Sequence, residues 1–206
     1  MDGKRVIEVI NKINVKMNDN KEYLTELDAA IGDGDHGLNM SKGFNAVVDK
    51  LKDDEGENIG NILKKSGMAL VSNVGGASGP LYGTAFMKGA MEVNGKRDIN
   101  INDFLNVLKA GLQGIKQRGK AVYGEKTMID ALEPAIKAME ESINNGDDPK
   151  IVLKNGKDAA EEGVNYTKTI KATKGRASYL GDRSIGHQDA GATSCLYILE
   201  TIYEEI

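Results

Sequence analysis

Apolar residues recur at helical spacing along nearly the whole chain, and no segment alternates long enough to make a convincing strand. Val6, Ile7, Ile10 and Ile13 predict a first helix, and Tyr23, Leu24 and Leu27 a second. Leu38, Phe44, Val47, Val48 and Leu51 mark a third, and Ile59, Ile62, Leu63, Met68, Leu70 and Val71 a fourth that ends at Asn73. A fifth runs over 81–93, where Gly83, Ala85, Gly89 and Ala90 suit close packing. Phe104, Leu105, Leu108, Leu112 and Ile115 give a sixth, and Met128, Leu132, Ile136 and Met139 a seventh. Asp148-Pro149 is a good helix start and opens an eighth over 151–170; a last helix over 192–203 closes the chain. The fold class is therefore all-α, and the short links favour antiparallel neighbours in an up-and-down bundle. Residues 1–206 read as a single domain with no linker or repeat.

A helical bundle needs few glycines, yet this chain has 25, clustered in loops, which argues against a plain scaffold. The most informative loop is Asp28-Ala-Ala-Ile-Gly-Asp33-Gly-Asp35-His36-Gly37-Leu38-Asn39. Its three carboxylates repel one another when ionised, so a positive charge is expected between them. Oxygen donors with no cysteine nearby select a hard cation such as Mg²⁺, Ca²⁺ or Mn²⁺ over zinc. Glycines at 32, 34 and 37 let the backbone fold round an ion and open it to anions. A calcium-binding helix-loop-helix is excluded, because it needs an acid at loop position 5, glycine at 6 and glutamate at 12. Counted from Asp33, those places hold Gly37, Leu38 and Phe44. An acidic surface turn explains Asp-Gly-Asp equally well by itself. Asp28, at the end of an apolar helical stretch, favours the metal.

Composition excludes other classes. The net charge is −4 with no basic cluster, aromatics are 5% and tryptophan is absent, which argues against nucleic acid. No apolar run approaches the ~18 residues of a membrane span, and the start Met-Asp-Gly-Lys-Arg-Val-Ile-Glu has no apolar leader. A cytoplasmic protein is expected. Cys195, the only cysteine, sits in an apolar run and reads as a buried thiol.

Three further loops carry chemistry. Val74-Gly-Gly-Ala-Ser78-Gly-Pro80 precedes a helix and reads either as an anion site with a Ser78 hydroxyl or as a close helix–helix turn. It is no Walker loop, since the Gly-Lys-Ser/Thr ending is missing. In the 119–130 stretch, Thr127 reads as an N-cap with Asp130 as its capping-box acid, and Met128 would edge a pocket if the loop faces the acids. The long 174–191 stretch has two arginines, Arg176 and Arg183, and glycine hinges at 175, 181, 186 and 191. It reads as a lid, with Asp189 capping the last helix. His36 and His187, the only histidines, both lie in glycine-rich loops. A phosphate or metal-supporting role for His36 is preferred over a phosphohistidine, which three neighbouring acids would oppose.

These loops resemble one family, the L subunit of dihydroxyacetone (glycerone) kinase. The resemblance rests on Ile31-Gly-Asp-Gly-Asp-His-Gly-Leu-Asn-Met40, Gly75-Gly-Ala-Ser-Gly-Pro80, Lys126-Thr-Met-Ile-Asp-Ala-Leu132 and Gly175-Arg-Ala-Ser-Tyr-Leu-Gly-Asp-Arg-Ser-Ile-Gly-His-Gln-Asp189, in that order along the chain. It implies an up-and-down barrel of about eight helices with a nucleotide–Mg²⁺ site at one end. It implies that Asp28, Asp33 and Asp35 hold two Mg²⁺ ions, and that His36, Gly37, Leu38, Asn39, Ala77 and Ser78 contact the phosphates of ADP or ATP. Gly119 and Met128 would line the nucleotide pocket, and Arg176 with Asp189, Ala190 and Gly191 would close the lid. Asp33, Asp35 and Arg176 would be the catalytic groups. Ala190 departs from the pattern, where proline is expected.

A chain of L type alone resembles the phosphoenolpyruvate-dependent system. In that system bound ADP is phosphorylated by a multiphosphoryl-transfer M subunit and serves dihydroxyacetone held on a K subunit. The alternatives are the nucleotide domain of an ATP-dependent glycerone or fatty-acid-type kinase, and an ADP-sensing regulatory module. A homodimer is an open possibility for the assembly.

Overall fold

The computed structural model describes all 206 residues and contains nine α-helices. They are α1 (Gly3–Asp19), α2 (Lys21–Ile31), α3 (His36–Leu51), α4 (Ile59–Asn73), α5 (Ser78–Glu92), α6 (Ile101–Gly119), α7 (Ile129–Asn144), α8 (Pro149–Thr167) and α9 (Ala190–Glu205). A 3₁₀ segment, Arg176–Ser184, precedes α9. The helices pack as the staves of a closed barrel, each against its neighbours in the order α3 to α9. The α1–α2 pair fills the gap between α9 and α3. α1 packs on α3 and α9, α2 packs on the same two helices farther along, and the break falls at Asn20 (φ −103°, ψ 12°). Nine helices therefore make eight staves, matching the expected architecture.

Apolar stripes face inward and form one continuous core that includes Met17, Leu24, Phe44, Leu70, Ile129 and Met139. Small residues set several contacts. A Cβ on Gly67 would meet the Gly83 carbonyl oxygen at 2.7 Å, and one on Gly163 would lie 2.0 Å from the Asp130 carbonyl oxygen, so α4–α5 and α7–α8 pack backbone against backbone. At one end the barrel is not filled: an apolar cavity of about 440 Å³ lies among residues such as Ile10, Phe86, Phe104 and Ile202. No helix is long and apolar enough to cross a membrane.

Because staves alternate in direction, the loops fall into two sets. The acidic loop and the 74–77, 120–128 and 168–189 segments all gather at one end, where α3, α5, α7 and α9 begin. The capping chemistry differs between the ends. At the other end α1, α4, α6 and α8 start on Asp2, Asn58, Asn100 and Asp148, and each side chain accepts a hydrogen bond from the first turn. Such caps contribute ~1 kcal/mol each. At the loop-rich end α3, α5 and α7 have no bond from their own N-cap side chains, and only α9 does, through Asp189.

Candidate functional site

Asp28 sits in the last turn of α2, and its carboxylate accepts hydrogen bonds from the backbone N–H groups of Asp35 (2.9 Å) and His36 (3.3 Å). It thereby caps α3 from a neighbouring helix and closes the acidic loop on itself. Gly34 turns the loop with φ +72°, a left-handed conformation that costs glycine least. The result brings one oxygen each of Asp28, Asp33 and Asp35 within 4.8 Å of the others. Arg176, reaching from the 3₁₀ segment, pairs with Asp33 at 2.9 Å. All-oxygen donors at this spacing fit a hard divalent cation.

Opposite the acids lies the start of α5. Gly76 turns the chain with φ +63°, and Ala77 at the N-cap offers no oxygen to the first N–H groups. The helix dipole and those donors face the same pocket as the carboxylates, the arrangement that binds anions. Ser78 is the first helical residue, and its hydroxyl lies 3.1 Å from Nδ1 of His36. His36 is buried, and burial pushes its imidazole below the ordinary value. Asn39 does not line the pocket; its side-chain oxygen accepts from Gly75 N–H at 3.3 Å and steadies the loop.

Between α6 and α7, Asp130 is fully buried and accepts from the N–H groups of Gly124 (2.5 Å) and Thr127 (2.7 Å), while Thr127 Oγ1 accepts from Ile129 N–H. Only one half of the expected Thr127–Asp130 capping box forms: Asp130 accepts from Thr127 N–H, but the Thr127 hydroxyl accepts from Ile129 N–H rather than Asp130 N–H, and the helix proper starts at Ile129. Lys126 is also buried, with φ +62°, and donates to the carbonyls of Thr167 (2.5 Å) and Ile170 (3.3 Å). Burial lowers its pKa. It ties this loop to the end of α8.

The 168–189 segment is anchored rather than loose: Gly186 N–H donates to the Lys168 carbonyl and Ala172 N–H to Ser184 Oγ. Glycines 175, 181 and 186 have positive φ, as hinges would. Gly191 does not; it lies in the first turn of α9, where an added Cβ would come within 3.1 Å of the Asp189 carboxylate that caps the helix. Asp189 caps α9 through Ala192 N–H at 2.7 Å. Although the residue as a whole is only half-buried, burial of the carboxyl pushes its pKa up to about 7. Arg183 and His187 are exposed and lie outside the pocket, so of the two lid arginines only Arg176 lines it.

Together these loops enclose a cavity of about 420 Å³. Asp28, Asp33, Asp35, His36, Ala77, Ser78, Gly119, Met128, Arg176, Asp189, Ala190 and Gly191 all line it. Gly37, Leu38 and Asn39 do not. A Cβ on Gly37 would meet the Lys21 carbonyl oxygen at 1.9 Å, so that glycine serves the packing of α3 on α2. Leu38 is exposed. Sequence reading missed Leu81, Tyr82, Ile115, Arg118, Lys126 and Lys174, which also line the cavity. Leu81, Tyr82 and Ile115 look like core residues on helix faces. Lys126 opens a motif already singled out, and that position was its one available signal.

Residues 30–204 match the Dak2 family, described as the DAK2 domain. The chain is 44% identical over 181 residues to the ADP-binding subunit DhaL of the PEP-dependent dihydroxyacetone kinase of Escherichia coli strain K12, covering 88% of this chain and 86% of that one. It is 44% identical over 200 residues to the ADP-binding subunit DhaL of the PTS-dependent dihydroxyacetone kinase of Lactococcus lactis strain IL1403, covering 97% and 96%. Among solved structures it is similar to the dihydroxyacetone kinase of C. freundii in complex with AMP-PNP and Mg²⁺, with a TM-score of 0.75 and 24% identity. That match covers 98% of this chain but 34% of the other, so this chain spans about a third of it.

Proposed function

The chain belongs to the DAK2 domain family, and from that premise we propose that it is the ADP-binding subunit of a phosphoenolpyruvate-dependent dihydroxyacetone kinase. The subunit type is supported by relatives of nearly the same length at 44% identity, against 24% for a kinase chain that this one only partly spans. The observation that carries the reading is the facing of the Asp28–Asp33–Asp35 cluster and the uncapped start of α5 across one pocket.

In this reading Asp28, Asp33 and Asp35 hold two Mg²⁺ ions, which supply neutralisation of phosphate charge. The first N–H groups of α5 and the Ser78 hydroxyl orient the phosphates, and Gly119 and Met128 border the nucleoside. Arg176 directs a positive charge at the transferring phosphoryl group from a segment with glycine hinges. Asp189, Ala190 and Gly191 form the wall beside it. No side chain needs to form a covalent bond, because phosphoryl transfer is catalysed largely by positioning and electrostatics. The nucleotide acts as a resident phosphoryl carrier between an M subunit that charges it and a K subunit that presents dihydroxyacetone. The reaction belongs in the cytoplasm, where phosphoenolpyruvate is formed.

The test is retention of label. The chain is loaded with radiolabelled ADP, run with the K and M subunits and excess unlabelled ADP, and then separated by filtration. Label retained through many turnovers is expected. Label lost at each turnover makes the nucleotide an ordinary substrate and turns the assignment toward an ATP-dependent kinase.

A further inference from the structure

Behind the phosphate-facing surface runs a line of hydrogen bonds that none of the metal-binding groups explains. Ser78 Oγ lies 3.1 Å from Nδ1 of His36, and Nε2 of the same ring lies 2.9 Å from Ser194 Oγ. Ser194 Oγ lies 2.7 Å from the Tyr82 hydroxyl. Both of those hydroxyls also reach the Gly191 carbonyl, at 3.1 Å from Ser194 and 3.2 Å from Tyr82. The line joins the starts of α3, α5 and α9, and His36, Tyr82 and Ser194 are all buried, Ser194 completely. Only its Ser78 end combines a hydroxyl with the uncapped helix start.

We propose that Tyr82 and Ser194 are positioning residues for phosphate binding, acting through the His36 imidazole to turn the Ser78 hydroxyl proton into the pocket. The inference rests on the nucleotide reading above. Each hydroxyl has one proton, and a neutral imidazole has one N–H and one acceptor nitrogen, so the line runs in one of two directions. If Ser78 donates to His36, then Nε2–H donates to Ser194, Ser194 donates to Tyr82, and the Tyr82 proton ends on the Gly191 carbonyl. Ser78 then presents only lone pairs to the pocket. A nucleotide phosphate is an acceptor and selects the other direction. Ser78 donates to the phosphate and accepts from Nδ1–H, Ser194 donates to Nε2, and Tyr82 donates to Ser194. Each bond in that order polarises the next in a buried, low-dielectric setting. Remove Ser194, and nothing fixes the tautomer that frees the Ser78 proton.

The experiment measures binding of ADP with Mg²⁺ by calorimetry for Ser78→Ala, Ser194→Ala and Tyr82→Phe, singly and with each of the last two combined with Ser78→Ala. Ser78→Ala is expected to weaken binding by about 10- to 100-fold, the scale of one hydrogen bond to a charged group. Ser194→Ala and Tyr82→Phe are expected to weaken it roughly three- to tenfold when Ser78 is present and less than about twofold when it is absent. Equal losses in both backgrounds, or no loss, overturn the relay. Tyr82→Phe keeps the ring in place and so decides the question even if Ser194→Ala does not fold. Nitrogen-15 NMR of His36 in the complex is expected to show the Nδ1–H tautomer; Nε2–H or a doubly protonated ring overturns the proposal. A wild-type chain that binds no ADP overturns the nucleotide reading and this inference together, whereas binding with additive losses overturns the relay alone.

Discussion

Gly37→Ala separates two explanations of a glycine that lies next to the acidic loop without lining its pocket. The added Cβ would sit 1.9 Å from the Lys21 carbonyl oxygen, 2.5 Å from Thr25 Oγ1 and 2.8 Å from Thr25 N. Carbon–oxygen contacts settle near ~3.3 Å, so α2 and α3 would have to part by roughly 1.4 Å. Two of the three obstacles are backbone atoms, which cannot rotate away. Overpacking of this kind costs about 1–3 kcal/mol, and rigid neighbours put this case at the upper end, ~3 kcal/mol. For a domain of this size, that lowers Tm by about 6–12 °C. α2 also carries Asp28, whose carboxylate holds the N–H groups of Asp35 and His36. A shift of about 1 Å in such a group is enough to cost ~100-fold in rate. Calorimetric melting, Mg²⁺-dependent ADP binding and phosphoryl transfer are then measured together. A control is Gly95→Ala, at φ +79° with nothing within 4 Å of the added Cβ: it strains the backbone alone, by about 1–2 kcal/mol, and leaves binding unchanged. A Gly37→Ala protein with wild-type Tm and wild-type transfer refutes the packing argument.

Three other outcomes are expected. Asp33→Asn and Asp35→Asn each abolish Mg²⁺-dependent ADP binding and transfer while the far-ultraviolet helical signal persists, because each removes a charge from the loop and none from the core; near-normal transfer makes the acidic turn structural. Arg176→Ala slows transfer by about 2–4 kcal/mol, the scale of a donor aimed at transition-state charge, with a much smaller loss in ADP affinity. Equal losses in affinity and rate constant point to a ground-state clamp. Asp189 makes stability fall as pH rises: its native carboxyl titrates at about 7 against 3.8 in the unfolded chain, so the native state holds the proton more tightly between those values. The contribution is fully present below the unfolded value and is lost as pH passes about 7. The stability difference between wild type and Asp189→Asn, measured without Mg²⁺ by urea unfolding, is therefore larger in favour of wild type at pH 5 than at pH 8. A pH-independent difference refutes the shift.

Much of the fold and part of the site was legible in the residue order. Helix spacing is local, set by 3.6 residues per turn, so apolar positions such as Ile10, Phe44 and Ile136 marked all nine helices before any contact was known. Asp28, Asp33 and Asp35 were legible for a similar reason: they are close in the chain, and a short glycine loop has few ways to keep them apart. What the residue order left open was which surfaces meet across the barrel. Gly37 looked like part of the anion loop, but the approach of α2, visible only once the staves are assembled, makes it a packing residue. Gly191 looked like a hinge until α9 enclosed it. Tyr82 carried no local signal and Lys126 only its place at the head of a motif, since a buried hydroxyl and a buried lysine gain their meaning from partners some 112 and 41 residues away. The alternation of stave directions brings four loops distant in sequence to one end, and the absence of a cap on α5 has a use only because the acidic loop faces it. Local periodicity determined the helices, whereas the pocket depends on contacts between residues far apart in the chain.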